Sequence, residues 1–332
     1  VSLLALSCAL IAGTVAAKPD TKRFLGEHVP RPEPRDRGVD VQHMDLQVRV
    51  DPLRRTVDGR VTLTGVVKRK GATLVLHAAE LDIREAAWVD SSGKKTPTSV
   101  AINKQEIRLQ PPNSEPGSRF AIEMKYRAQP KQGVYFVGPD KDEPKRPLHI
   151  HTQGEAIEAR HWIPSPDDPD ERITWQIAVT MPKKYVVLSN GEKVSETKKG
   201  KQKTTTYRVD KPYPIYLLSM VAGPFIETVH SKQTDGVRVS TWSFRNEADR
   251  VDHNSRWLPK MLRFFNKTIG VKYPHQRYGQ VFVHEFNSGG MENITLTTLT
   301  HRAMGDRRSD LDRTIDGLLA HELAHQWFGD FV

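Results

Sequence analysis

From Gln42 to about residue 225 the hydrophobic residues recur with a period of two, and nothing else in the sequence limits the possible fold as much. Met44, Leu46, Val48 and Val50 alternate with polar residues, as do Val61 and Leu63, Leu74 and Leu76, and Phe120, Ile122, Met124 and Tyr126. Alternation sends every second side chain to one face of a strand, so each segment has one face to bury and one to hydrate. Turn-forming groups fall between them: Asp51-Pro52, Asp58-Gly59, Ser92-Gly93, Pro111-Pro112-Asn113 and Asn190-Gly191. Further strands are expected over residues 174–180, 185–189, 203–209 and 215–222, and no helical stretch of useful length precedes residue 225. The expectation is an all-β domain of antiparallel sheets over residues 41–226.

After Gly223-Pro224-Phe225 the period changes. Residues 237–244 read as a strand, and residues 246–269 have helical spacing through Val251, Leu258, Leu262, Phe265 and Ile269. Pro259 within that stretch predicts a kink or two shorter pieces. A strand over 280–286, a glycine turn, a strand over 294–300 and a last helix make residues 227–332 an α+β unit. A chain of 332 residues can build two such cores, and 37% hydrophobic with 27% charged residues is a globular balance. The net charge of +10 is scattered, as in Lys68-Arg69-Lys70 and Lys198-Lys199-Gly200-Lys201. Without a long basic run interleaved with aromatics it reads as solvated loops, which argues against a nucleic-acid partner.

Residues 1–17 are apolar and small, and Val15 and Ala17 fit a signal-peptidase site, so export to the periplasm or the exterior through a signal peptide is expected. The run is too short to span a bilayer, and no stable membrane span is expected in the mature chain. Residues 18–40, rich in Pro, Arg and Asp, read as a linker or extended arm. The one cysteine, Cys8, lies in the signal segment, so any metal bound by the mature chain must be held by His, Asp or Glu.

Near the end stands His321-Glu322-Leu323-Ala324-His325. Histidines four apart on a helix share one face and can reach one ion, while the glutamate between them can take a proton from a metal-bound water. Ser309 and Asp312 have capping-box spacing, Leu311, Ile315, Leu318 and Leu319 recur at helical intervals, and Gly329 suits a stop. Leu318, His321, His325 and Phe328 are expected on one inward-facing side. A buried amphipathic helix whose histidines are core or surface residues is the alternative reading of these five letters alone. Upstream, Gly289-Gly290-Met291-Glu292-Asn293 lies between two apolar runs. Its glycines would let a backbone approach a ligand closely, and an extended segment there could take a peptide as an added strand. A plain glycine hairpin with an exposed glutamate is the simpler reading of that motif alone.

Taken together, Gly-x-Met-Glu-Asn followed roughly thirty residues later by His-Glu-x-x-His resembles the zinc aminopeptidases of the aminopeptidase N family. Tyr273-Pro274 through Asn293, Gln326-Trp327-Phe328-Gly329, and Thr152-Gln153-Gly154-Glu155-Ala156 with Arg160, Pro164 and Asp168-Pro169 extend the likeness, as does Tyr216-Leu217-Leu218 to Gly223-Pro224-Phe225. The resemblance implies an all-β N-terminal domain of saddle-like antiparallel sheets, followed by the first part of an α+β thermolysin-like catalytic domain. It implies one Zn²⁺ ion held by His321 and His325, Glu322 as general base, and Glu155 and Glu292 binding the free N-terminal amine of a peptide substrate. Gly289, Gly290, Met291 and Asn293 would line that substrate. The family's third zinc ligand is a glutamate roughly eighteen residues past the second histidine. None of residues 326–332 is a glutamate, so the chain reads as the front part of an aminopeptidase, inactive alone. A non-catalytic peptide-binding module and a zinc endopeptidase sharing only the metal helix are the alternatives; Glu155 and Glu292 argue against the second. His149 and His151 alternate on a strand with His161 beyond, a set that could bind zinc or simply form the strand entering the Gln153–Glu155 loop. The sequons at Asn266 and Asn293 read as incidental.

Overall fold

The computed structural model describes residues 37–331. The expected signal peptide with Cys8 and nearly all of the expected arm lie outside the described residues.

The frame is an eight-stranded sheet in the order Glu192–Lys199, Gln202–Pro214, Arg172–Pro182, Val39–Asp51, Thr56–Val67, Arg119–Ala128, Asp82–Val89, Lys95–Pro97. Its alternating residues do what their period demands: Met44, Leu46, Val48, Val61, Leu63, Ile122 and Met124 are all buried in one continuous core. The sheet is not antiparallel throughout. Val39–Asp51 pairs with Arg172–Pro182 in parallel, His43 opposite Thr174. Alternating burial is the same for either direction, so the pattern could not distinguish them. The edge strand Glu192–Lys199 is exposed at all eight positions and has no face to bury, which is why no alternation marks it. A three-stranded sheet adjoins this frame, and a four-stranded one runs Val186–Ser189, Met220–Gly223, His149–Thr152, Val134–Val137.

The second part is built on a five-stranded sheet: Phe225–Thr234, Val237–Phe244, Arg277–Val283, Leu296–Thr300, Gly290–Met291. The middle three strands are parallel and the two outer pairings antiparallel. Val281, Val283, Met291 and Leu296 join the N-terminal core, whereas Val239, Tyr278, Phe282 and Leu299 pack against the helices. This sheet is therefore a wall shared by both cores, and the expected boundary at residue 226 falls inside its first strand.

Three helices cover the outer face. Residues 246–269 divide into α1 (Ala248–Asn254) and α2 (Leu258–Ile269), with Pro259 in the first turn of α2, where its missing N–H leaves no bond unmade. Helix α3 (Asp316–His325) starts later than the capping-box spacing predicted. Asp306 caps the preceding turn instead: its carboxylate accepts from the Arg308 and Ser309 N–H groups, and the Ser309 hydroxyl bonds back to the Asp306 carbonyl. Leu311 is 94% exposed and outside the helix. The expected inward face is also corrected. Leu319, Leu323 and Trp327, spaced by four, form the buried stripe, leaving His321 and Phe328 exposed and Leu318 and His325 half-buried. No helix among the described residues is long and apolar enough to cross a membrane.

Candidate active site

The open face of α3 carries the two histidines with their rings nearly perpendicular. His321 Nε2 and His325 Nε2 are 3.2 Å apart. Two nitrogens bound to one tetrahedral zinc at roughly 2.0–2.1 Å lie about 3.3 Å apart, so the pair fits such an ion as it stands. His325 Nδ1 donates to the Phe328 carbonyl at 3.1 Å. That bond keeps the proton on Nδ1 and the lone pair on Nε2, as a metal ligand requires.

Glu322 lies on the adjoining side of the helix and is buried. Its carboxylate rests on Gly290, where a Cβ would come within 2.4 Å of Oε1. Burial pushes its pKa up to about 7, and the charges of Glu292 and Glu155 add to the effect. A carboxylate balanced near neutrality is suited to both accepting and returning a proton. Glu292 is half-buried; burial raises its pKa, its own backbone N–H and the neighbouring His325 oppose this, and Glu155 pushes it further up. Glu155 is exposed on the loop that follows His149–Thr152. That loop packs tightly, since a Cβ on Gly154 would meet the Tyr216 carbonyl oxygen at 2.3 Å. Burial raises the Tyr216 hydroxyl first, and both Glu292 and Glu155 add to it. Glu155, Glu292 and Glu322 thus share one region, despite their separation in sequence, and repel one another there.

Gly290–Met291 is the outermost strand of its sheet, paired only with Leu296–Thr300 among the described residues. Its other edge is a template for an extended peptide. Gly289 holds the start of this segment by accepting from Thr300 N–H at 3.0 Å. Met291 and Asn293 are buried, and Asn293 Nδ2 donates to Thr298 Oγ1 at 3.1 Å. Against the expectation that they line a substrate, both side chains pack inward. This packing also removes Asn293 as a surface sequon, while Asn266 is tied to Asp235 and Tyr273.

Two uncharged residues, marked in the sequence only as part of the family likeness (Gln326) and of a turn (Asn190), hold the segment in place. Gln326 Oε1 accepts from Thr295 N–H at 2.9 Å, and its Nε2 donates to the Glu292 carbonyl at 2.7 Å and to Asp330 Oδ2 at 2.9 Å. Asn190 Nδ2 donates to the Ile294 carbonyl at 2.7 Å and to that of Leu217 at 3.1 Å, while its Oδ1 accepts from Ser219 N–H. Only the position of Gln326 directly after the motif helix hinted at this. Asp330 is fully buried, and burial, with Glu292 next, pushes its pKa up to about 9. His149 and His151 stack on each other, but with His161 they form no metal-ligand set of three among the described residues. His149 is satisfied by the Pro147 carbonyl and by His284 N–H, His151 stacks on Tyr135, and His161 lies on a short turn after them.

Residues 40–217 match the family model described as the Peptidase M1 N-terminal domain, and residues 255–332 match the Peptidase family M1 domain. Similar curated proteins include "Probable M1 family aminopeptidase 1" of Encephalitozoon cuniculi, 26% identical over 88% of this chain and 35% of its own length. "Aminopeptidase M1" of Arabidopsis thaliana is 26% identical over 87% of this chain and 34% of its own length. "Aminopeptidase N" of Haemonchus contortus is 27% identical over 83% and 30%. The chain spans about a third of the length of these relatives.

Proposed function

The chain belongs to peptidase family M1, and from that premise we propose that it carries the base, two zinc ligands and the amine-binding carboxylates of a zinc aminopeptidase. The observation that carries this reading is the 3.2 Å separation of the His321 and His325 Nε2 atoms beside a buried Glu322 and the carboxylates of Glu292 and Glu155. His321 and His325 would hold the ion. Zinc there supplies Lewis-acid polarisation of a carbonyl and of a water. Glu322 takes a proton from the attacking water and returns it to the leaving amine. Glu292 and Glu155 accept hydrogen bonds from the substrate's terminal ammonium group, which sets the cut one residue from the N-terminus and disfavours internal segments. The free edge of Gly290–Met291 pairs with the peptide backbone. Asp330 accepts from Gln326; an ion held by His321 and His325 without a third protein ligand would be bound weakly and support little turnover. Export through residues 1–17 belongs to the same reading, and N-terminal sequencing of the secreted chain tests it.

The central test is a protein carrying these residues, given one peptide with a free and one with an acetylated N-terminus, with and without zinc. Release of the first residue from the free peptide alone, zinc-dependent and reduced at least ~10²-fold by Glu322→Gln, is the expected result. Cleavage of the acetylated peptide would make it an endopeptidase. Binding of either peptide without release would make it a binding module.

A further inference from the structure

Three parallel strands of the five-stranded sheet end side by side, and just beyond each C-terminal end stands a side chain with metal-ligand chemistry. Glu247 follows Val237–Phe244, His284 follows Arg277–Val283, and His301 follows Leu296–Thr300. Glu247 Oε1 is 3.2 Å from His284 Nε2 and 3.3 Å from His301 Nδ1. The two imidazoles lie face to face, centroids 3.7 Å apart. The ligating atoms all fall within 4.8 Å of one another, the one set of three that does so among the described residues.

The cluster is buried and its polar atoms are incompletely satisfied. Glu247 is 5% exposed and His284 7%. Glu247 Oε2 and both ring nitrogens of His284 lack hydrogen-bond partners. A buried carboxylate needs a compensating cation, and the described residues offer Glu247 no lysine or arginine partner. Protonating both histidines would set two like charges face to face at stacking distance. A single divalent ion resolves both difficulties. Its ligand-to-ligand separations, about 3.3 Å for tetrahedral zinc, match the two oxygen–nitrogen distances already present. On its far side His284 Nδ1 faces Glu143 Oε2 at 3.6 Å, the carboxylate neighbour that a ligating imidazole commonly has.

We infer that Glu247, His284 and His301 form a second metal site, separate from the His321/His325 pair, which takes a borderline divalent cation of the zinc type. Two imidazoles and one carboxylate suit zinc, cobalt and nickel rather than calcium or magnesium. Its position gives it a structural role. His284 opens the segment that leads to Gly289–Asn293, and His301 directly follows Thr300, whose N–H holds the Gly289 carbonyl. An ion bridging them fastens both ends of the segment carrying Glu292.

The test uses the 332-residue chain with His321→Ala and His325→Ala, stripped with chelator and titrated with Co²⁺ and then Zn²⁺. Metal content, the visible absorption of bound Co²⁺ and the melting temperature are read. One equivalent of Co²⁺, displaced by Zn²⁺ and accompanied by a rise in melting temperature, is expected. Adding His301→Ala, or the isosteric Glu247→Gln, should abolish both the absorption and the rise. A folded double variant that holds no ion at micromolar metal would overturn the inference and leave a buried histidine–glutamate ion pair. So would binding that survives both further substitutions.

Discussion

Gly290 and Glu322 occupy a space that a single methyl group would fill: a Cβ on the glycine would lie 2.4 Å from Glu322 Oε1 and 2.5 Å from its Cδ. The edge strand and the proposed base are therefore fitted to each other through the absence of a side chain. Gly290→Ala must push the carboxylate aside. Misplacing a catalytic group by about 1 Å costs on the order of 10²-fold in rate, so turnover should fall by that order while the fold and zinc content persist. Gly289→Ala should be much milder, because its Cβ would meet only the Leu318 side chain, at 3.4 Å to Cδ1 and 3.8 Å to Cδ2. Comparing kcat for the two variants with Glu322→Gln checks this; equal losses at both glycines would contradict it.

Gln326 should matter more to stability than its neutral side chain suggests. Gln326→Leu keeps the volume but strips partners from Thr295 N–H, the Glu292 carbonyl and Asp330 Oδ2, all joined through this one amide. Each buried group left unsatisfied costs about 1–3 kcal/mol. With three such groups, urea unfolding should show a loss of at least about 3 kcal/mol, and amide exchange at Thr295 should speed up ahead of the rest of the sheet.

Trp327 and Phe328 are neighbours with opposite expectations. Trp327 is 1% exposed, donates its indole N–H to the Val271 carbonyl at 2.8 Å and packs against Phe265 and Tyr273. Trp327→Ala should destabilise by about 3–5 kcal/mol. Phe328 is 57% exposed, and only its backbone carbonyl serves His325. Phe328→Ser should leave the unfolding midpoint within about 0.5 kcal/mol of the parent.

His151 ties stability to pH. It is 1% exposed, and burial first, then His149, holds its pKa down at about 3 from an ordinary 6.5. Between those values the unfolded chain binds a proton that the folded chain refuses. This contribution is therefore complete above pH 6.5 and is lost as the pH falls through the window. At about 1.4 kcal/mol per pH unit, the loss at pH 5 is about 2 kcal/mol. His151→Phe, in a site already lined by Tyr135 and Phe286, should flatten that part of the stability–pH curve. An unchanged slope would show that His151 is not its source.

The sequence revealed what periodicity and charge encode. Met44, Leu46 and Val48 announced their strand because one face of it is buried, and Pro259 announced the break between α1 and α2. His321, Glu322, His325 and Glu292 stood out because chemistry needs those residue types at that spacing. Glu192–Lys199 left no trace because it buries nothing. The direction of pairing between Val39–Asp51 and Arg172–Pro182 was hidden because burial alternates equally in parallel and antiparallel ladders. Gln326 and Asn190 were illegible for a different reason: an amide's partners are mostly backbone atoms brought in from other elements, and no local pattern records them. The facing of α3 is ambiguous in the sequence because two overlapping stripes compete, and in the structure the one holding Trp327 is buried.

The pairing of His43 with Thr174 joins residues 131 positions apart, in the middle of the largest sheet. During synthesis on the ribosome Val39–Asp51 emerges long before its partner. At about 5–20 residues per second, it waits on the order of ten seconds with one hydrogen-bonding edge unmet. The hairpin to Thr56–Val67 can form at once, but its outer edge is a bare strand with a hydrophobic face, the kind of surface that captures other nascent chains. The strand made first in this sheet is thus among the last to be enclosed, and the chain is most vulnerable to aggregation while its central seam is still open.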